Sequence, residues 1–270
     1  MSENRGHSIG VFDSGIGGLT VVKALMEHLP FENITYFGDT ARVPYGVKSV
    51  ETIQSFSAQI TDFLLDRQVK LLVIACNTMA AVASDIVKSR SNVPVLDVID
   101  AGARAAVAAS QRQSIGIIGT PTTVNSNAYA RSIHALDNRV RVYSQACPLF
   151  VPLVEEGWLD HEVTRLTAQE YLKPVFVESV DTLVLGCTHY PLLKPLLQEV
   201  VGAKMTLIDS ARTVAAQAAE LLQSRQMYNE QRCPPSYHYV VTDIPLRFQT
   251  LGSRFLGRDM PQVQVVRFAG

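Results

Sequence analysis

SIGVFDSGIGGLTV, residues 8–21, starts with an apolar run and ends it on a glycine-rich turn. Its first seven residues are echoed by SIGIIGT at 114–120. Downstream of each copy comes a second apolar run that ends in a cysteine, LLVIACNT at 71–78 and TLVLGCTH at 182–189. The separations Ile9–Cys76 and Ile115–Cys187 are nearly equal. One echo is within reach of chance; two in the same order indicate two similar units.

Working outward, strands are expected at 8–13, 33–38, 70–76, 94–98, 114–120, 139–144, 181–187 and 205–209. Longer amphipathic stretches such as SVETIQSFSAQITDFLLDRQ, residues 49–68, lie between most of them and read as helices. Near-continuous apolar strands separated by helices belong to parallel sheets covered on both faces. The fold class is therefore α/β, with two similar doubly wound parallel-sheet domains related by a pseudo-two-fold. Open sheets of this kind bind ligands beyond the carboxyl ends of their strands. All four echoed segments end there, so Asp13, Ser14, Cys76, Thr120 and Cys187 are expected around one cleft between the units.

The composition narrows the function classes. Of 270 residues, 24 are basic and 25 acidic, a balance that argues against a nucleic-acid surface. The polar opening MSENRGHS has no signal-peptide pattern, and no apolar run is long enough to span a bilayer. Cys76, Cys147, Cys187 and Cys233 form no CxxC pair, so neither a zinc knuckle nor a disulfide framework is indicated. A cytoplasmic protein with reduced thiols is the expectation.

A single cysteine ending an apolar strand is ordinarily a small core residue. Two at echoed positions, each followed by polar residues, point to chemistry instead; Cys147 and Cys233, each before a proline, read as structural. A strand-to-helix turn should lower a thiol pKa from its usual value of about 8.5. A metal held by Cys76, Cys187 and His189 would lack the close ligand pairs of zinc motifs. Acid–base work remains: one thiolate removes a proton and the opposite thiol returns one on the other face, a two-base stereoinversion. Asp13 and Glu155 are candidates to orient a partner or hold a substrate ammonium, and His189 to tune Cys187. The alternative readings are a helix cap for Asp13, or equally Ser14, a helix cap for His189, and a solvated pair for Glu155 beside Glu156. SGIGGLT lacks the ending of a P-loop and the third spaced glycine of a dinucleotide fingerprint. Its glycines suit close backbone approach to a small carboxylate substrate. The loop TARVPYGVKS, 40–49, offers Pro44, Tyr45 and Gly46 as a rim of the same cleft.

FDSGIGGLTV, VPYG, ACNTMAA, IGTPTTVNS and GCTHYPLL, in this order and spacing, resemble the glutamate racemases of the cofactor-independent aspartate/glutamate racemase superfamily. The resemblance runs from about Ile9 to Asp209. It implies interconversion of L- and D-glutamate without pyridoxal phosphate or metal, supplying D-glutamate for peptidoglycan. Cys76 and Cys187 resemble the family's catalytic cysteines, the first acting on D-glutamate and the second on L-glutamate. Asp13, Glu155 and His189 resemble the residues that assist them. Asp13–Ser14, Tyr45–Gly46, Asn77–Thr78 and Thr188–His189 match the substrate-binding pairs, with Thr120 and Thr123 as additional contacts. The family's inserted-domain arrangement implies one domain of residues 1–97 plus 208–270 and another of 98–207, and its members are commonly homodimers.

Overall fold

The structure, a computed structural model, describes residues 5–230, 233–260 and 262–268. Its strands are β1 (Ile9–Asp13), β2 (Ile34–Gly38), β3 (Leu71–Ile74), β4 (Val95–Asp97), β5 (Ser114–Gly119), β6 (Arg141–Ala146), β7 (Thr182–Gly186), β8 (Thr206–Asp209), β9 (Tyr237–Val241) and β10 (Val263–Val265). They form two sheets, ordered β10-β9-β2-β1-β3-β4 and β6-β5-β7-β8, with every pairing parallel. The order β2-β1-β3-β4 recurs as β6-β5-β7-β8, so the sequence echo is also a topological one. β9 and β10 extend the first sheet alone, beyond β2, and were not among the expected strands. YHYVV at 237–241 does carry a strand signal in its alternating aromatic and β-branched residues.

Register fixes the geometry of the cleft. Phe12 lies opposite Ile74 in the first sheet, and Ile118 opposite Leu185 in the second. Asp13 and Cys76 therefore leave the first sheet at one level, as Thr120 and Cys187 leave the second. β1, β2, β3, β5 and β7 are buried along their whole length. That explains their uninterrupted apolar runs, since helices cover both faces. β6, at the edge of the second sheet, is only partly covered.

Local signals start the helices where the sequence allows. Ser49 accepts from the Thr52 N–H at 3.3 Å and begins helix Val50–Leu65. Asp97 accepts from the Ile99 and Asp100 N–H groups and begins helix Val98–Ala109. Such caps contribute about 1 kcal/mol each. Helix Ser210–Ser224 packs against both helix Leu19–His28 and helix Val98–Ala109, tying the return of the chain to both units. The expected domain boundary at 207/208 falls inside β8, all four residues of which pair with β7. Among the described residues no helix is long and apolar enough to cross a membrane.

Candidate active site

At the carboxyl ends of the strands lies a cavity of about 230 Å³ lined by residues of both units. Cys76 and Cys187 line it together, each nearly buried, at 5% and 6% exposure. Ser14, Pro44, Tyr45, Gly46, Asn77, Thr78, Thr120, Glu155, Thr188 and His189 share that lining. Asp13 and Thr123 do not reach it; both stand behind the wall. Val151 and Pro152 of helix Phe150–Glu155, with Ile16 and Val43, give the cavity an apolar side that sequence reasoning missed. Their only signals were nearness to Glu155 for Val151 and Pro152, the glycine-rich turn for Ile16, and the 40–49 loop for Val43.

Cys76 ends the β3 run and stands at the N-terminus of helix Asn77–Arg90. Its thiol donates to Ser14 Oγ at 3.4 Å. The expected lowering of its pKa is reversed: burial, joined by the charge of Asp13, pushes the thiol up to about 12. Desolvation and a carboxylate neighbour both oppose a thiolate, and together they outweigh a helix terminus. Asp13 is buried as well, which raises its own pKa, although the Gly15 N–H and His189 pull the other way. Asp13 Oδ2 accepts from the Gly15 N–H at 2.9 Å, while Oδ1 has no hydrogen-bond partner. Neither Asp13 nor Ser14 caps helix Leu19–His28, whose N-terminus is at Gly18.

Cys187 follows β7 and leads into a short 3-10 turn, Tyr190–Leu193, rather than directly into an α-helix. His189 Nδ1 lies 4.0 Å from its sulfur, and His189 Nε2 is 3.2 Å from Glu155 Oε1. Burial alone would lower the imidazole pKa. The contacts with Cys187 and Glu155 outweigh it and push the group up to about 10. Glu155 is thus the partner of His189 rather than half of a solvated pair, and the His189 side chain caps no helix.

The glycines of the opening turn have a spatial reason. A Cβ on Gly17 would come within 2.1 Å of Thr188 Oγ1 and 2.6 Å of His189 Nδ1, and one on Gly18 within 2.6 Å of Asp13 Cβ. The turn is bare so that the other unit's Thr188–His189 can close against it. Thr20 Oγ1 donates across the same gap to the Thr188 carbonyl at 3.2 Å. On the opposite wall, Thr78 Oγ1 lies 3.0 Å from Thr120 Oγ1, which is 3.0 Å from Thr123 Oγ1. Thr122 Oγ1 donates to the Gly46 carbonyl at 2.7 Å, joining the 40–49 loop to the second unit. Asp39 holds that rim from beneath: the Tyr45 hydroxyl donates to Oδ2, which also accepts from Arg42 Nε at 2.6 Å. Among the described residues no group of three or more His, Cys, Asp or Glu side chains is placed to hold a metal ion.

Two thiols at equivalent strand ends of a duplicated α/β scaffold, facing one small cavity, define a racemase-type site. The Asp/Glu/Hydantoin racemase family model matches residues 9–218, and the chain belongs to that family. Within it, the chain groups with the glutamate racemases. It is 68% identical over 261 residues to glutamate racemase of Syntrophus aciditrophicus, covering 97% of each chain. It is 60% identical over 263 residues to that of Neisseria meningitidis, again covering 97% of each. The crystal structure of the Francisella tularensis glutamate racemase in complex with D-glutamate superposes with a TM-score of 0.91 at 44% identity, over 97% of this chain and 98% of that one.

Proposed function

We propose that this amino-acid racemase interconverts L- and D-glutamate by proton transfer at Cα between Cys76 and Cys187, providing D-glutamate for peptidoglycan. The observation that carries this reading is the shared cavity: two thiols, from equivalent positions of the two units, line one small space. Acting on L-glutamate, the Cys187 thiolate removes the α-proton, and the carbon–hydrogen electron pair stays on Cα. The Cys76 thiol then delivers its proton to the opposite face. The reverse sequence converts D-glutamate. The Cys76 thiol, held up to about 12 by burial and Asp13, suits the donor half of the first direction. A substrate ammonium beside Asp13 offsets that carboxylate and eases the return step.

Removing so weakly acidic a proton without an external electron sink requires a desolvated thiolate and protonation that follows closely. Backbone and side-chain donors around Ser14, Asn77, Thr78, Thr188 and His189 hold the substrate carboxylates, and Thr120 lines the opposite wall. Thr123 supports Thr78 and Thr120 from behind. His189, paired with Glu155, serves Cys187, and Asp13 serves Cys76. The two units correspond to the two domains, with one sheet carried by residues 1–97 and the chain after β8, the other by the segment between.

The test is to incubate the protein with L-glutamate in D₂O without added cofactor. D-glutamate carrying deuterium at Cα is the expected product. Absence of that product, or full activity in the double Cys76→Ala/Cys187→Ala variant, overturns the reading.

A further inference from the structure

Asn77 lines the cavity, is only 2% exposed, and its Nδ2 has no hydrogen-bond partner. Its other amide atom is engaged: the Tyr129 hydroxyl donates to Asn77 Oδ1 at 2.7 Å, within the protein interior. Tyr129 comes from helix Ala128–Leu136 of the second unit, whereas Asn77 opens a helix of the first. An amide has two faces of opposite polarity, and which one meets a ligand depends on what holds the other. Here the phenol hydroxyl holds the amide by donating to its oxygen. Burial and the nearby Asp97 charge keep Tyr129 protonated, so its hydroxyl has a proton to donate. That donation is made to Oδ1, which turns Nδ2 away.

The ring lies close to glycine backbone on both edges. A Cβ on Gly102 would come within 3.2 Å of the Tyr129 hydroxyl and ring edge, and one on Gly186 within 3.1 Å of the other edge. Two glycines, one on helix Val98–Ala109 and one at the end of β7, clear the seat in which the phenol lies.

We propose that Tyr129 is a positioning residue for the racemase site: its hydroxyl fixes the Asn77 amide so that Nδ2, a donor, meets a carboxylate oxygen of the substrate. This rests on the glutamate reading above. With the amide reversed, Oδ1 would oppose the carboxylate, and binding would be lost in both enantiomers alike. An interaction made equally in ground and transition states appears in KM and not in kcat.

Tyr129→Phe, which removes one oxygen and leaves the ring, is expected to raise KM for both L- and D-glutamate about ten-fold, with kcat changed less than about two-fold. In an Asn77→Ala background the same substitution should add nothing, because the two residues act as one unit. Gly102→Ala, which presses on the hydroxyl without removing it, should give a smaller rise in KM that also vanishes in the Asn77→Ala background. An unchanged KM in a folded Tyr129→Phe protein overturns the proposal, as does an equal rise on top of Asn77→Ala. A wild-type protein that racemises no glutamate would instead sink the functional reading, so the two failures are told apart.

Discussion

At the Cys76 end of the cleft the charged neighbour is a carboxylate, Asp13; at the Cys187 end it is an imidazole, His189, held protonated to about pH 10 by Cys187 and Glu155 against the cost of its burial. The backbones that present the two thiols are near copies, strand for strand and in the same order. The groups beside them differ: a lone carboxylate next to Cys76, and an imidazole paired with Glu155 next to Cys187. The repeated scaffold thus brings two thiols to one cavity and surrounds them with different side chains. Under the mechanism proposed above, that difference suits a base on one face and a proton donor on the other.

The contrast is most directly broken by removing either thiol. Cys76→Ala and Cys187→Ala should each lower racemisation about 10³-fold or more, the scale expected of a general acid or base. The serine variants sharpen it: each should still exchange the Cα proton of one enantiomer with D₂O, followed by NMR, and the preferred enantiomer should differ between them. If both variants favour the same enantiomer, the two ends do not have separate roles.

Gly17→Ala should cost about 10²-fold in kcat/KM, because its Cβ would drive Thr188 and His189 out of place and displacements near 1 Å carry penalties of that order. Gly46→Ala, where the nearest atom would be Thr120 Cβ at 3.1 Å, should do less.

Glu155→Gln tests the charge on the Cys187 side. Glu155 raises the His189 pKa, so its removal lowers it, and the alkaline limb of kcat/KM should move from near pH 10 to lower pH. The same sign applies to stability. His189 gains a partner on folding, so its contribution is present in full below about pH 6.5 and is lost as pH rises through about 10. Thermal melts across that range should show the loss in the wild type and a smaller one in Glu155→Gln.

The smallest effect on activity belongs to the far end of the first sheet. There Lys70 Nζ lies 2.6 Å from Glu32 Oε2 with both side chains almost wholly buried. Lys70 also donates to the Arg5 and Met227 carbonyls, and Glu32 accepts from the Asn229 N–H. Breaking such a pair costs about 3–5 kcal/mol of stability. Lys70→Ala should therefore lower the melting temperature while leaving KM for glutamate unchanged. A change in KM would show that the polar network at the base of the sheet reaches the cleft.

The cysteines, the glycine-rich turn and the alternation of strand and helix were legible because they are local signals: period, composition and the chemistry of strand ends. The echo by itself implies that both thiols end at one cleft. Three features were not legible. The direction of the Cys76 shift depends on how fully Asp13 and the thiol are buried together, and burial is a property of the assembled fold. Asp13 and Thr123 were expected in the lining, yet both support it from behind, a difference of depth that side-chain type does not encode. Tyr129 had no motif at all, since its partner is 52 residues away in the other unit.

The amino-acid sequence by itself determined the parallel α/β class, the duplication, and which residues end on the strands facing the cleft. These follow from side-chain polarity read at short range. Tertiary structure alone decided which sulfur has a carboxylate neighbour, which an imidazole, and which hydroxyl turns the Asn77 amide. Each of those depends on groups far apart in the chain meeting at hydrogen-bond distance where water is excluded, and there a single neighbouring charge or donor sets the chemistry.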